Sequence, residues 1–299
     1  MPTKVAIVLN LNAGSANGGD QIQTISDAFE KVGVTAEIHQ VKDGEQLSKA
    51  INLAADCHTE TLVAAGGDGT VSSVAAKVAE TGKILGVLPL GTLNHFSKDL
   101  GIPQDLNEAA KVIADHSVKQ VDVAEVTGRY FINNSSIGLY PQLVRQRELQ
   151  QRLGRGKWWA AFWAALRLLR VSPFQKVTLD LDGKELRRKT PFVFVGNNCY
   201  EMDLYKIGTR PRLDEGKLSI YLLRRGGRAG LFLLILRTIV GRLRQSKDFE
   251  EFYATRLIVE TRKRRVLVAM DGEVTVAESP LEYRIHPRKL RVIVPKEKE

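Results

Sequence analysis

A short apolar run, Thr61-Leu62-Val63-Ala64-Ala65, leads straight into Gly66-Gly67-Asp68-Gly69-Thr70, and helical spacing follows. Three glycines let a backbone approach a phosphate closely, and the first turn of a helix offers amides with no partner inside the helix. Such a junction suits an anion. Asp68 is the odd member. A carboxylate repels phosphate unless a divalent cation lies between them, or unless it serves to orient a neighbouring loop. One strand–helix unit further on, Leu88-Pro89-Leu90-Gly91-Thr92-Leu93-Asn94-His95-Phe96 again follows a strand-like run. Asn10-Leu11-Asn12-Ala13-Gly14-Ser15 follows the first such run. Three polar, glycine-bearing loops at strand C-terminal ends converge on one edge of a parallel sheet, where such sheets bind nucleotides.

The spacing supplies the elements to hold these loops. Val5–Leu9, Thr35–Val41, Thr61–Ala65 and Ile84–Leu88 read as strands. Between them Gln21–Lys31 (Ile22, Ile25, Phe29), Gly44–Ala55 (Leu47, Ile51, Ala54) and Val71–Glu80 have helical spacing. Strands alternating with helices predict βαβ units on a parallel sheet. From Val121 the pattern is strands: Val121–Val126, Tyr130–Asn134, Val177–Leu181, Phe192–Val195, Leu218–Leu223, Leu257–Thr261, Val266–Met270, Leu281–Ile285 and Leu290–Val294. Asp182-Gly183 and Asp271-Gly272 fall where hairpin turns belong. The expected architecture is an α/β domain over 1–122 and an antiparallel β-rich domain over 123–299. The last residues are free to return to the first domain. Two helical insertions, near 145–170 and 225–244, interrupt the second domain.

Charge follows the same division. Residues 1–122 hold 9 lysines, no arginine and 15 acids, whereas the remainder holds 35 basic and 19 acidic residues. A basic second half predicts an anionic partner, nucleic acid or an acidic membrane surface. Trp158, Trp159 and Trp163 all fall in one insertion, beside Arg155, Lys157, Arg167 and Arg170; Leu231–Leu243 repeats the combination with Arg237 and Arg242. Cationic, tryptophan-bearing amphipathic helices lie in membrane interfaces. The same helices would also serve as ordinary cover for a sheet. No RNA-binding motif is present, so nucleic acid is not the expected partner. The longest wholly apolar run, Trp158–Leu166, is far too short to span a bilayer. Met1–Leu11 reads as a strand and not as a signal peptide. Cys57 and Cys199, far apart in sequence, form no disulfide framework and no metal-ligand cluster, so a zinc protein is not expected. A reducing, cytoplasmic setting is expected, with transient attachment to the inner face of the membrane. The oligomeric state, a homodimer included, stays open.

GGDGT at 66–70 followed by PLGTLNHF at 89–96 resembles the diacylglycerol kinase catalytic-domain family, which includes sphingosine, ceramide and soluble bacterial lipid kinases. NLNAGS near the N-terminus, FINNSSIG (131–138), VGNN (195–198), LDEGKLSI (213–220) and MDGE (270–273) are similar to its other signatures, in order. The resemblance implies a parallel-sheet domain like that of NAD kinases and phosphofructokinases, ATP as co-substrate, Mg²⁺, and a membrane lipid as acceptor. It implies that Asn10, Leu11, Asn12, Ala13 and Gly14, with Gly66, Gly67, Asp68, Gly69, Thr70 and Val71, cradle the ATP phosphates. Thr92 closes the pocket and Asn94 stands behind it.

Val41 takes the place of a nucleotide-touching threonine, Val71-Ser72-Ser73 replaces a hydrophobic residue followed by Asn-Glu, and His95 replaces an aspartate. Phosphoryl transfer needs a base for the attacking hydroxyl. The resemblance implies Glu273, with Asp271 two residues before it; an Asp-Gly turn with solvated acids would look the same. Leu213–Lys217 resembles a structural Mg²⁺ segment, with Glu215 as the acid, carbonyls from Arg212 and Lys217, and Asp214 as a substitute. Two rival readings remain: an NAD kinase, and a nucleotide- or lipid-binding protein of this fold without catalysis.

Overall fold

The computed structural model describes residues 4–11, 18–42, 44–139, 141, 174–200, 209–223 and 249–296. In the first part β1 (Lys4–Asn10), β2 (Thr35–Val41), β3 (Thr61–Gly66) and β4 (Ile84–Pro89) alternate with α1 (Gly18–Lys31), α2 (Gly44–Asp56) and α3 (Asp68–Thr81). The four strands are parallel, in the order β2-β1-β3-β4. Every residue of β3 and β4 is buried, as helices on both faces of a parallel sheet require. The chain leaves β1 toward β2 on one side and takes up β3 on the other. A crevice therefore opens at the carboxyl ends of β1 and β3, beside Asn10 and Gly66.

Two helices go beyond the sequence reading. α4 (His95–Asp99) follows the second glycine loop, and α5 (Leu106–Asp115) packs on β4. The Asp105 carboxylate caps α5, accepting the amides of Asn107 and Glu108 at 2.9 and 3.0 Å.

The second part supplies β5 (Val118–Val126), β6 (Arg129–Phe131), β7 (Asn134–Gly138), β8 (Gln175–Leu181), β9 (Lys184–Thr190), β10 (Phe192–Asn197) and β11 (Leu218–Leu223). It continues with β12 (Phe249–Ala254), β13 (Arg256–Thr261), β14 (Arg265–Met270), β15 (Glu273–Glu278) and β16 (Leu281–Ile293). One antiparallel sheet runs β12-β11-β10-β7-β14-β15. The other holds β5, β6, β8, β9, β13 and β16 and is continuous with the parallel sheet. The two sheets enclose Phe131, Ile137, Leu179, Val195, Ile220 and Tyr283. Each such side chain contributes roughly 1.5–3 kcal/mol by leaving water. At Asp182-Gly183 (φ +50° and +88°) and Asp271-Gly272 (+47° and +91°) both turn residues are left-handed, the conformation that matches the twist of a two-residue hairpin.

Three expectations change. Tyr130–Asn134 is not one strand. β6 ends at Phe131 and β7 starts at Asn134, because the amides of residues 132–134 turn away to bind a side chain. Leu281–Ile285 and Leu290–Val294 are parts of one strand, β16, with a bulge between His286 and Leu290. Its first half lies between β13 and β5, and its second half lies between β5 and β4, with Arg291 and Val292 beside Ile84 and Leu85. Finally, Cys57 is not remote from other ligating groups: the folded chain sets it beside Glu37 and His39. No short sequence motif announces that meeting, because a strand and the end of a helix create it. The tryptophan and arginine insertions lie outside the described residues.

Candidate active site

The Gly66–Thr70 junction forms as its letters require. Gly67 is the extended residue before α3, and no side chain caps the helix. The amides of its first turn stay available to an anion. Asn10 Nδ2 donates to Thr70 Oγ1 at 3.1 Å, tying the end of β1 to this turn. A Cβ on Gly91 would lie 2.5 Å from Gly67 Cα, so the two glycine loops touch backbone to backbone.

Asp68 spans the same gap. Its carboxylate accepts the amides of Asn94 at 3.0 Å and His95 at 2.8 Å. Of the two roles open to this acid, the described contacts display the loop-orienting one. Asn94 is buried, and its Nδ2 donates to the Gly91 carbonyl at 2.9 Å and to Gln104 Oε1 at 3.0 Å. Thr92 is exposed beyond it, and Val71 lies in the core. Val41 is also buried; its carbonyl accepts the Leu11 amide at 2.9 Å, while its side chain joins the sheet core. Asn12, Ala13 and Gly14 lie outside the described residues.

About 200 residues later in sequence, the β14–β15 turn meets α3. Asp271 Oδ1 accepts the amides of Asn133 and Asn134, each at 2.9 Å, and Oδ2 accepts the Ile132 amide at 2.9 Å. The Ser72 hydroxyl completes the set. Burial pushes the Asp271 carboxyl above its ordinary value, and these four donors oppose the shift. Both oxygens are committed. Glu273 is different: it is exposed, and its carboxylate carries no hydrogen bond or ion pair among the described residues. It lines a cleft with Gly69, Ser72 and Ser73 of α3 and with Arg129 and Tyr130 of β6. The turn thus separates two acids, one locked into scaffold and one facing the open cleft. Ser72, noted in the sequence only as a substitution, joins α3 to Asp271. Arg129 and Tyr130 carried no signal of a site.

The segment expected to hold magnesium has its own cations. Glu215 accepts the Cys199 amide at 3.2 Å and faces Lys217 Nζ at 3.7 Å. Asp214 pairs with Arg212 at 3.1 Å. The Lys217 carbonyl accepts the Asn198 amide at 3.1 Å. Burial, and then Glu215, push the Cys199 thiol up to about 11. No group of three ligating side chains forms here among the described residues. Mg²⁺ takes six oxygens, several of them water, so this segment would offer it one carboxylate and backbone carbonyls and not a cage of side chains. The buried carboxylate of Asp122 instead anchors the segment, accepting the amides of Gly216 at 2.6 Å and Arg288 at 2.8 Å.

Comparison with known proteins matches residues 4–126 to the diacylglycerol kinase catalytic domain. Residues 144–294 match the YegS C-terminal NAD kinase beta sandwich-like domain. The chain belongs to the diacylglycerol kinase and YegS-like lipid kinase family. It is therefore a kinase by descent. A diacylglycerol kinase of Bacillus subtilis is 25% identical over 300 residues, 99% of this chain and 97% of that protein. A diacylglycerol kinase of Staphylococcus carnosus is 25% identical over 234 residues, covering 77% of this chain and 76% of that protein. The crystal structure of a diacylglycerol kinase from Bacillus anthracis superposes with a TM-score of 0.72 at 22% identity, covering 99% and 98% of the two chains. That likeness is one of fold.

Proposed function

We propose that this kinase transfers the γ-phosphoryl group of ATP to the hydroxyl of a membrane lipid such as diacylglycerol. The observation that supports this reading is the cleft shared by the first turn of α3 and Glu273, two features from opposite ends of the chain. The phosphates rest on the uncapped amides of α3, and the Gly67–Gly91 contact keeps side chains out of their way. Asp68 and Asn94 position the second loop, and Asp271 positions the turn. Glu273 accepts the proton of the lipid hydroxyl as its oxygen bonds to phosphorus and ADP departs. Arg129 supplies fixed positive charge at the cleft wall. Magnesium entering with ATP supplies further neutralisation of the phosphates. The lipid lies in a bilayer, so the enzyme works as a peripheral visitor to a membrane surface.

Transfer of label from [γ-³²P]ATP to a panel of lipids in vesicles tests this. Label should enter a lipid bearing a free hydroxyl and should not enter NAD. Label appearing in NAD alone, or in no acceptor although the protein binds ATP, would overturn the reading.

A further inference from the structure

Away from the nucleotide edge, β2 carries Glu37 and His39 two residues apart, so both side chains leave the same face of the strand. Cys57, the first residue after α2, closes on them. Cys57 Sγ lies 3.1 Å from Glu37 Oε1 and 3.6 Å from His39 Nε2, and His39 Nε2 lies 3.4 Å from Glu37 Oε1. A tetrahedral zinc with Zn–S of about 2.3 Å and Zn–N and Zn–O of about 2.0 Å requires ligand–ligand edges of about 3.3–3.5 Å. The three observed edges fall around that range.

The surroundings hold two of the three ligands in place. Lys83 Nζ donates to the Cys57 carbonyl at 2.9 Å, and the Thr59 amide donates to the same oxygen at 2.7 Å. Lys4 Nζ pairs with the other carboxylate oxygen, Glu37 Oε2, at 3.0 Å, which leaves Oε1 turned toward the trio. The imidazole is largely covered, with 18% of its side chain exposed, and Glu37 is open at 39%. Solvent therefore reaches the group from the carboxylate side.

We propose that Glu37, His39 and Cys57 form a zinc-binding site whose fourth position is open to water. The ligand types select the metal. A thiolate, an imidazole and a carboxylate suit a borderline ion such as Zn²⁺, whereas Mg²⁺ and Ca²⁺ take oxygen alone. Without metal, the Cys57 thiol donates its proton to Glu37 Oε1. On binding, the S–H bond breaks, the proton passes to solvent and the thiolate bonds to zinc, with no change of oxidation state. In the metal-free protein Glu37 and then burial hold the Cys57 thiol above its ordinary value, and Lys4 and Lys83 act against that. The bound ion would join an edge strand to the end of a helix. The site shares no residue with the proposed kinase machinery and stands independently of it.

Cobalt(II), a spectroscopic substitute for zinc, tests this on the whole chelator-stripped protein. A saturable thiolate-to-cobalt absorption band should appear in the near ultraviolet and disappear when zinc is added. Cys57→Ser and His39→Gln should abolish the band and weaken zinc binding at least tenfold, with circular dichroism confirming the fold; Cys199→Ser should keep both. In the wild type, which needs no variant to fold, zinc should slow alkylation of Cys57 at least tenfold and leave Cys199 unchanged. Absence of the band at saturating cobalt, its survival in Cys57→Ser, or alkylation of Cys57 indifferent to zinc would each overturn the site.

Discussion

At the scale of single residues, Asp271 and Glu273 show how two neighbouring acids can be given opposite work. Four donors converge on Asp271, so its replacement leaves a donor unmatched. Asp271→Asn turns an amide group toward one of those donors and should cost about 1–3 kcal/mol of stability. Glu273→Gln touches no such network. It should leave stability within about 0.5 kcal/mol of wild type. Its turnover should fall by about 10²–10⁴-fold with ATP affinity retained. Thermal melts, ATP titration and initial rates on one preparation of each variant separate the two roles. A stable Asp271→Asn protein without turnover, beside an active Glu273→Gln protein, would show that the roles are reversed.

At the scale of elements, the β8–β9 hairpin is pinned at its turn. Asp182 accepts the Thr255 amide and hydroxyl, each at 2.9 Å, and the Arg256 amide at 2.8 Å, which fastens the turn to the start of β13. Burial pushes the Asp182 carboxyl up, but the Thr255 and Arg256 amides and the Thr255 hydroxyl outweigh it, so it lies below its ordinary value. A lowered folded-state value means that the stabilisation is present above the unfolded value of 3.8 and fades as pH falls through the folded one. The turn is exposed, so solvent screening limits the effect to about 1 kcal/mol. Asp182→Asn should therefore melt lower than wild type at pH 7, with the gap closing below pH 3.8. A gap unchanged by acid would refute the charge dependence. Much of this level was legible in the sequence: the parallel strands, the glycine junctions and both Asp-Gly turns follow from period and turn chemistry. α5 had a readable signal in Asp105 and Glu108, spaced as a helix cap. The break at Ile132-Asn133 had none, because its cause is a carboxylate about 140 residues away. The company of Cys57 was hidden because a strand and the end of the following helix create it.

At the scale of the whole molecule, β16 is shared by both parts of the fold. Leu290 is fully buried at the bulge, where the strand passes from one partner to the next. Leu290→Ala should cost about 2–5 kcal/mol. The melting of both parts should shift together in a single calorimetric transition, whereas two separated transitions would show that β16 does not couple them. Among the described residues no helix is long and apolar enough to cross a membrane. If the proposed lipid substrate is right, the basic excess of residues 123–299 predicts reversible docking, each cation near an anionic surface contributing roughly 1 kcal/mol, screened over about 8 Å. Flotation with anionic vesicles should exceed that with neutral ones and fall with salt; equal flotation on both at low salt would refute it. The path of β16 also sets a timetable for synthesis. β4 emerges early, yet the strand that covers its outer side is about 200 residues downstream. At about 5–20 residues per second, the ribosome takes roughly 10–40 s to deliver it. Throughout that interval the newborn chain displays an apolar, unpaired strand edge of the kind that recruits other chains. The hazard belongs to translation, and it ends when β16 emerges.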